Sequence, residues 1–221
     1  MHSLTTFRII LVTLALTVGL HALTSTLAEW EALDRPVFPS DPAKIIAPTA
    51  SEVPRWLQVV SPFRSDIESN HALIAAFQAI QAGKVGPANE RLNDLTRERV
   101  RKVLSIAPYS SELWLALALL QAQRDPRDPT FSEALKMSYF LAPNEAQLMP
   151  VRLDTATLFH ALADPDIKEL ARGDVRLMLT RQAELRTAVT SAYRRASSRG
   201  KAFLEEAVRS IDPSFVAMLR G

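Results

Sequence analysis

The chain of 221 residues has no cysteine. Structural disulfides, thiolate metal sites and a cysteine nucleophile are excluded together. Six glycines are too few for a loop that cradles phosphate, and none stands in G-x-x-x-x-G-K-[ST] or G-x-G-x-x-G. G-x-S-x-G and H-E-x-x-H are also absent. The four histidines are His2, His21, His71 and His160. None has a partner at ligand spacing, and Asp154 and His160 do not share a helix face. His71 and His160 therefore read as surface or partly buried helix residues. The formal net charge of +2 is too small to argue for nucleic acid. The sequence points to no cofactor and no metal.

Helix-forming side chains are plentiful. Ala, Leu and Arg recur, hydrophobic residues make up 48% of the chain, and such side chains lose little freedom in a helix. The longest uncharged run begins at Ile9 and closes at Ala28. About 20 apolar residues cross the hydrocarbon core of a bilayer. Arg8 precedes the run, and Glu29, Glu31 and Asp34 follow it. The positive-inside tendency puts residues 1–8 in the cytoplasm and the rest outside. A cleaved signal peptide is the competing reading, with Thr26-Leu27-Ala28 as a poor cleavage site. His21 interrupts the run and reads as a tolerated polar residue.

Prolines crowd residues 29–64: Pro36, Pro39, Pro42, Pro48, Pro54 and Pro62. Each removes an amide donor and forbids a long helix. The segment reads as a linker that lifts the following domain off the membrane. A short turn around Pro54 lets Trp56 anchor it on that domain.

Residues 65–221 read as a helical domain. Ile67, Leu73, Ile74, Phe77 and Ile80 form a stripe at helical spacing, which stops at Gly83. A second helix starts at Pro87, with Leu92, Leu95, Val100, Val103 and Leu104 inward and Arg97 among its solvent-facing charges. A third is capped by Ser110 or Ser111. Further helices are expected over about 145–162, 165–171, 173–198 and 201–210, with a last turn at 214–219. Asp164-Pro165-Asp166 reads as a loop whose Asp164 caps the helix after it; two carboxylates facing a glycan are the competing reading.

Residues 103–143 carry a recognisable pattern. Trp114, Leu117 and Ala118 lie on one helix, and Phe131, Leu135 and Ser138 on the next. Pro108 and Pro143 close the two flanking helices 35 residues apart. This resembles the tetratricopeptide repeat, whose period is about 34 residues. Gln121 stands where that family has an aromatic residue. Val208 to Pro213 echoes Val103 to Pro108, whereas Met178 stands where an intervening proline belongs. After the single N-terminal transmembrane helix read from the uncharged run, the resemblance implies an all-α fold: a tetratricopeptide-like stack of helical hairpins whose first helices line a concave surface for a partner.

Arg172, Arg176, Arg186 and Arg194 fall in a sector of about 80° if residues 173–198 form one helix, at about 100° per residue. Arginine's planar fork suits carboxylate and phosphate groups, so these four are the candidate partner-binding residues. Taken together, the sequence suggests a non-enzymatic, membrane-anchored scaffold of a bacterial envelope. Its domain is expected on the periplasmic side of the inner membrane, binding a protein partner, an acidic polysaccharide or lipid headgroups, in the setting of surface polysaccharide production or export. Two alternatives are a helical enzyme acting on cell-wall glycan, and a structural subunit that meets its partners through the span.

Overall fold

The computed structural model describes residues 2–32, 37–39, 45, 65–83 and 86–220. Among the described residues the chain is all-helical, without strands. It divides into two units, residues 1–35 and 36–221.

The first unit contains α1, His2–Ala32. Within it, Thr6–Thr26 is long and apolar enough to cross a membrane. The hydroxyls of Thr13, Thr17 and Thr26 donate to the carbonyls of Ile9, Thr13 and Ala22 one turn back. That satisfies polar groups which lipid cannot. Helix α1 also takes in residues 29–32, which the sequence assigns to the linker. The turn near Pro54 and the Trp56 anchor lie outside the described residues.

The second unit opens with a tether. Phe38 is 3% exposed, and its ring meets that of Phe77 edge-on at 4.8 Å. Burying one such side chain contributes about 1.5–3 kcal/mol.

Two helical hairpins follow. The first pairs α2 (Ser65–Ala82) with α3 (Pro87–Ile106), and the second pairs α4 (Ser111–Arg124) with α5 (Pro129–Leu141). Their boundaries follow local chemistry. Gly83 ends α2 with φ +73°, where a side chain would be strained. Pro87 opens α3. Ser110 Oγ accepts from the Leu113 amide at 3.3 Å to cap α4, and Asp128 Oδ1 accepts from the Thr130 amide at 2.9 Å to cap α5. Gln123 Nε2 donates to the Ile80 carbonyl at 2.9 Å, so α2 and α4 run side by side with their C-termini together.

The residues of the repeat pattern are buried to different degrees. Ala118, Phe131, Leu135 and Ser138 are fully buried, Leu117 nearly so, and Trp114 donates its indole N–H to the Pro108 carbonyl at 2.8 Å. Pro143 is exposed just past the end of α5. The inward face of α3 differs from expectation. Leu95 is 57% exposed and Leu92 is also exposed, whereas Asn93, Thr96 and Arg97 are buried. The cause lies across the interface. Asn93 donates to the Leu120 carbonyl and to Gln123, and Arg97 donates to Gln121 at 2.6 Å. Gln121, the departure from the repeat pattern, also donates to Thr130. A polar seam therefore occupies the place of an apolar one.

Beyond α5 the chain leaves the hairpin pattern. The short helix α6 (Met149–Leu158) is buried from Met149 through Thr157. Around it pack a 3-10 turn (His160–Ala163), α7 (Pro165–Thr180), α8 (Arg186–Arg195) and α9 (Ser198–Ile211). The last helix, α10 (Phe215–Arg220), closes on α8 and α9. The long helix expected over 145–162 is thus a shorter helix followed by a 3-10 turn. The expected break near Gly173 is absent: the helix that Asp164 Oδ1 caps through the amides of Asp166 and Ile167 continues to Thr180.

Candidate partner-binding surface

The single helix expected over 173–198 is interrupted. Helix α7 stops at Thr180, a 3-10 turn covers Ala183–Leu185, and α8 starts at Arg186. The amides of Arg181 and Gln182 both donate to the Leu177 carbonyl. The Arg186 guanidinium donates to the Leu179 carbonyl through Nε at 3.2 Å and Nη2 at 2.8 Å. A side chain that caps α7 in this way cannot also extend it.

The four predicted arginines therefore do not share one helix face. Arg172 bonds Glu169 and Glu206, each at 2.7 Å. Arg186 also faces Asp212 at 3.5 Å and lies over the Phe215 ring. Arg176 and Arg194 are exposed on different helices. Two of the four carry internal structure, and the two that face solvent do so from α7 and α8.

A buried arginine that the sequence reading did not single out joins the hairpins to the α6-centred half. Arg152 of α6 is 0% exposed, and its partner Asp174 on α7 is 2% exposed. Nη2 meets Asp174 Oδ1 at 3.2 Å, Nη1 donates to the carbonyls of Ser138 and Ala142 at 3.2 and 2.9 Å, and the guanidinium lies 4.6 Å from the Tyr139 ring centroid. One side chain thus neutralises a buried carboxylate and satisfies two carbonyls at the end of α5. Burial pushes the Asp174 carboxyl up to about 7, against the opposing pull of Arg152. The hydroxyls of Ser138 and Tyr139, Arg152 Nε and Asp174 Oδ2 have no hydrogen-bond partner among the described residues.

Among the described residues, three clefts of the second unit bear on binding. One, of about 420 Å³, lies over the polar seam and mixes Glu90 and Asp94 with Arg124. Asp94 bonds both Arg97 and Arg124, which hold its carboxyl below its usual range. Another, of about 350 Å³, lies over Trp114 and Leu117. The third, of about 480 Å³, brings together Arg127, His160 and Arg199 with Ser197 and Ser198, and no carboxylate is among its lining residues.

Local structure fixes each side of this third cleft. Arg127 sits in the α4–α5 loop, whose Asp125 Oδ1 accepts from the Arg127 amide at 2.9 Å. Asp128 turns its carboxylate onto Thr130. Phe159 packs edge-on against Phe131 of α5 at 5.8 Å, which sets His160 beside that loop. The N-terminus of α9 is clamped to the end of α6: Ser197 donates through its amide and hydroxyl to the Thr157 carbonyl at 3.1 and 2.8 Å. Gly200 permits this approach, since a Cβ there would lie 2.2 Å from the Thr157 oxygen. The cleft therefore presents two guanidinium groups and an imidazole beside a helix N-terminus, a combination suited to anionic groups. Arg127 and Arg199 stand 72 positions apart in the sequence, so no local pattern announces the cleft.

Among the described residues no group of three or more His, Asp and Glu side chains is placed to hold a metal ion. No protein-family model, no curated protein and no solved structure matches the chain.

Proposed function

We propose that the protein is a membrane-anchored, non-catalytic scaffold that holds an acidic partner at the Arg127–His160–Arg199 cleft. Thr6–Thr26 serves as the anchor, with the second unit on the far side of a bacterial inner membrane. Helices α2 to α5 act as two tetratricopeptide-like hairpins, supported by the burial of Ala118, Phe131, Leu135 and Ser138. The observation that carries the reading is the cleft itself: exposed basic side chains from both halves of the domain line one cleft with no carboxylate among its lining residues. A carboxylated polysaccharide or an acidic protein segment of the envelope fits that chemistry. The convergence replaces the single-helix stripe as the partner-facing element.

The test uses the full chain with a C-terminal tag and a photoreactive residue in place of Leu158, which lines the cleft without contributing a charge. The proposal expects the uncleaved chain in carbonate-washed membranes, and a cross-linked adduct that disappears with Arg199→Glu. A processed chain in the soluble fraction would contradict the anchor. An adduct indifferent to Arg199→Glu would contradict the cleft.

A further inference from the structure

Helix α3 turns polar side chains inward and apolar ones outward. Asn93, Thr96 and Arg97 are buried in the seam, whereas Leu92, Leu95 and Ile106 are exposed, Ile106 to 66%. The three apolar residues are not scattered. At about 100° per residue, Arg91, Leu92, Leu95, Arg99, Lys102 and Ile106 fall within one sector of about 100°, and all six are exposed. That sector runs for about 22 Å, at 1.5 Å rise per residue. Tyr109, 82% exposed, follows just past its end. The acids of the helix, Glu90, Asp94 and Glu98, fall in the adjoining sector, and Asp94 is bonded to Arg97 and Arg124. Arg99 meets Glu68 at 3.6 Å; among the described residues Arg91 and Lys102 have no ion pair.

Basic and apolar side chains thus alternate along one exposed face. Arginine and lysine lay their stems on apolar surface and keep their charge in water. Such a face fits the boundary of a bilayer: aliphatic groups enter the acyl edge, tyrosine sits at headgroup level and the cations meet anionic lipid. An acidic polymer uses the cations but leaves leucine and isoleucine in water. An apolar partner helix covers the aliphatic groups but buries the cations without partners. We propose that the Arg91–Ile106 face of α3 docks on anionic phospholipid. The same chain carries Thr6–Thr26, long and apolar enough to cross a membrane, and a chain held there meets lipid at high local concentration. The inference rests on the anchor reading for that supply of membrane and is independent of the cleft.

The absence of native cysteine allows a single fluorophore to be placed in the full chain. Leu95→Cys on the face and Thr187→Cys on α8, both at exposed positions, are labelled separately and reconstituted with vesicles of phosphatidylcholine, with or without phosphatidylglycerol, that carry a nitroxide quencher high on the acyl chain. Quenching of the Leu95 label is expected to be at least twofold stronger with phosphatidylglycerol than without it. Arg91→Glu with Lys102→Glu is expected to remove that difference, and the Thr187 label is expected to show none. Equal quenching of the Leu95 label in both vesicles overturns the proposal, as does a difference that survives Arg91→Glu with Lys102→Glu or that appears equally at Thr187. Added salt makes the same test without the charge changes, should they impair folding: the difference is expected to shrink, and one unmoved by salt overturns the proposal. A Leu95 label shielded in lipid-free micelles as protein concentration rises means that a second copy covers the face, and overturns it too. Vesicle flotation after a carbonate wash reads the anchor separately: a chain that washes off yet is quenched at Leu95 before the wash sinks the anchor and not the face.

Discussion

Arg97 and Arg152 are both buried, and they show how differently the two halves of the domain are built. Arg97 lies in a seam between neighbouring helices, bonded to Asn93, Gln121 and a half-exposed Asp94. Water reaches part of that seam, so each bond there is worth little net. Arg152 lies where three helices meet, 0% exposed, against an equally buried carboxylate. Its removal strands a charge and two carbonyls in a dry interior. In the hairpin pair, the heaviest packing joins the two helices of each hairpin, with α2 also packed on α4. In the α6-centred half, one short helix is the common partner of the 3-10 turn, α7, α8 and α9, and Asp154 and Thr157 on it take bonds from Arg195 and Ser197.

The largest expected effect tests the second construction. Arg152→Ala should lower unfolding stability by about 3–5 kcal/mol in urea titrations, the range for breaking a buried pair. Pairing Arg152→Met with Asp174→Leu should recover much of that loss. If the single substitution costs no more than a surface change, the joint is not what holds the halves together. Next comes Gly200→Ala, which drives a methyl into the Thr157 carbonyl and should cost about 1–3 kcal/mol by the same titration. Gln121→Ala takes an acceptor from Arg97 in the wetter seam and should cost about 1 kcal/mol. A cost above that of Arg152→Ala would invert the comparison.

Acid and base should also separate the halves. The unfolded Asp174 carboxylate ionises near 3.8, and the folded one only at about 7. Between those values the unfolded chain binds fewer protons, so the Asp174 contribution to stability declines as pH rises through that window. Urea midpoints measured across it should fall less with rising pH in Asp174→Asn than in the unsubstituted chain. At the surface, Glu205 is held down at about 2, by Arg220 first and Tyr193 second, and titrates below this window.

The same contrast explains what was legible in the sequence. Ser110, Gly83, Pro87 and Asp164 mark element boundaries because capping and backbone chemistry act within a few residues. Trp114, Ala118 and Leu135 are legible because a hairpin packs against its own neighbour. Leu92 and Leu95 mislead, since hydrophobic periodicity alone does not reveal that Gln121 and Gln123 would meet α3 with amides. Arg172 to Arg194 mislead for another reason: whether α7 continues past Thr180 depends on Arg186 folding back onto Leu179, a contact with no periodic signature. Arg152 and Asp174 left only a faint trace, one charge directly after the uncharged run Ala146–Val151 and another directly before Val175. The cleft left none, because its arginines come from the loop before α5 and the first turn of α9.

That junction is where the two constructions meet, and the binding of an acidic polymer there tests the account most directly. Titration of polygalacturonate into the full chain in neutral micelles, at two salt concentrations, should show binding that weakens with salt. Arg127→Glu with Arg199→Glu should lower the affinity at least tenfold, while Arg176→Glu with Arg194→Glu should change it less than twofold. The reverse order, with loss on changing Arg176 and Arg194 and none on changing Arg127 and Arg199, would contradict the cleft.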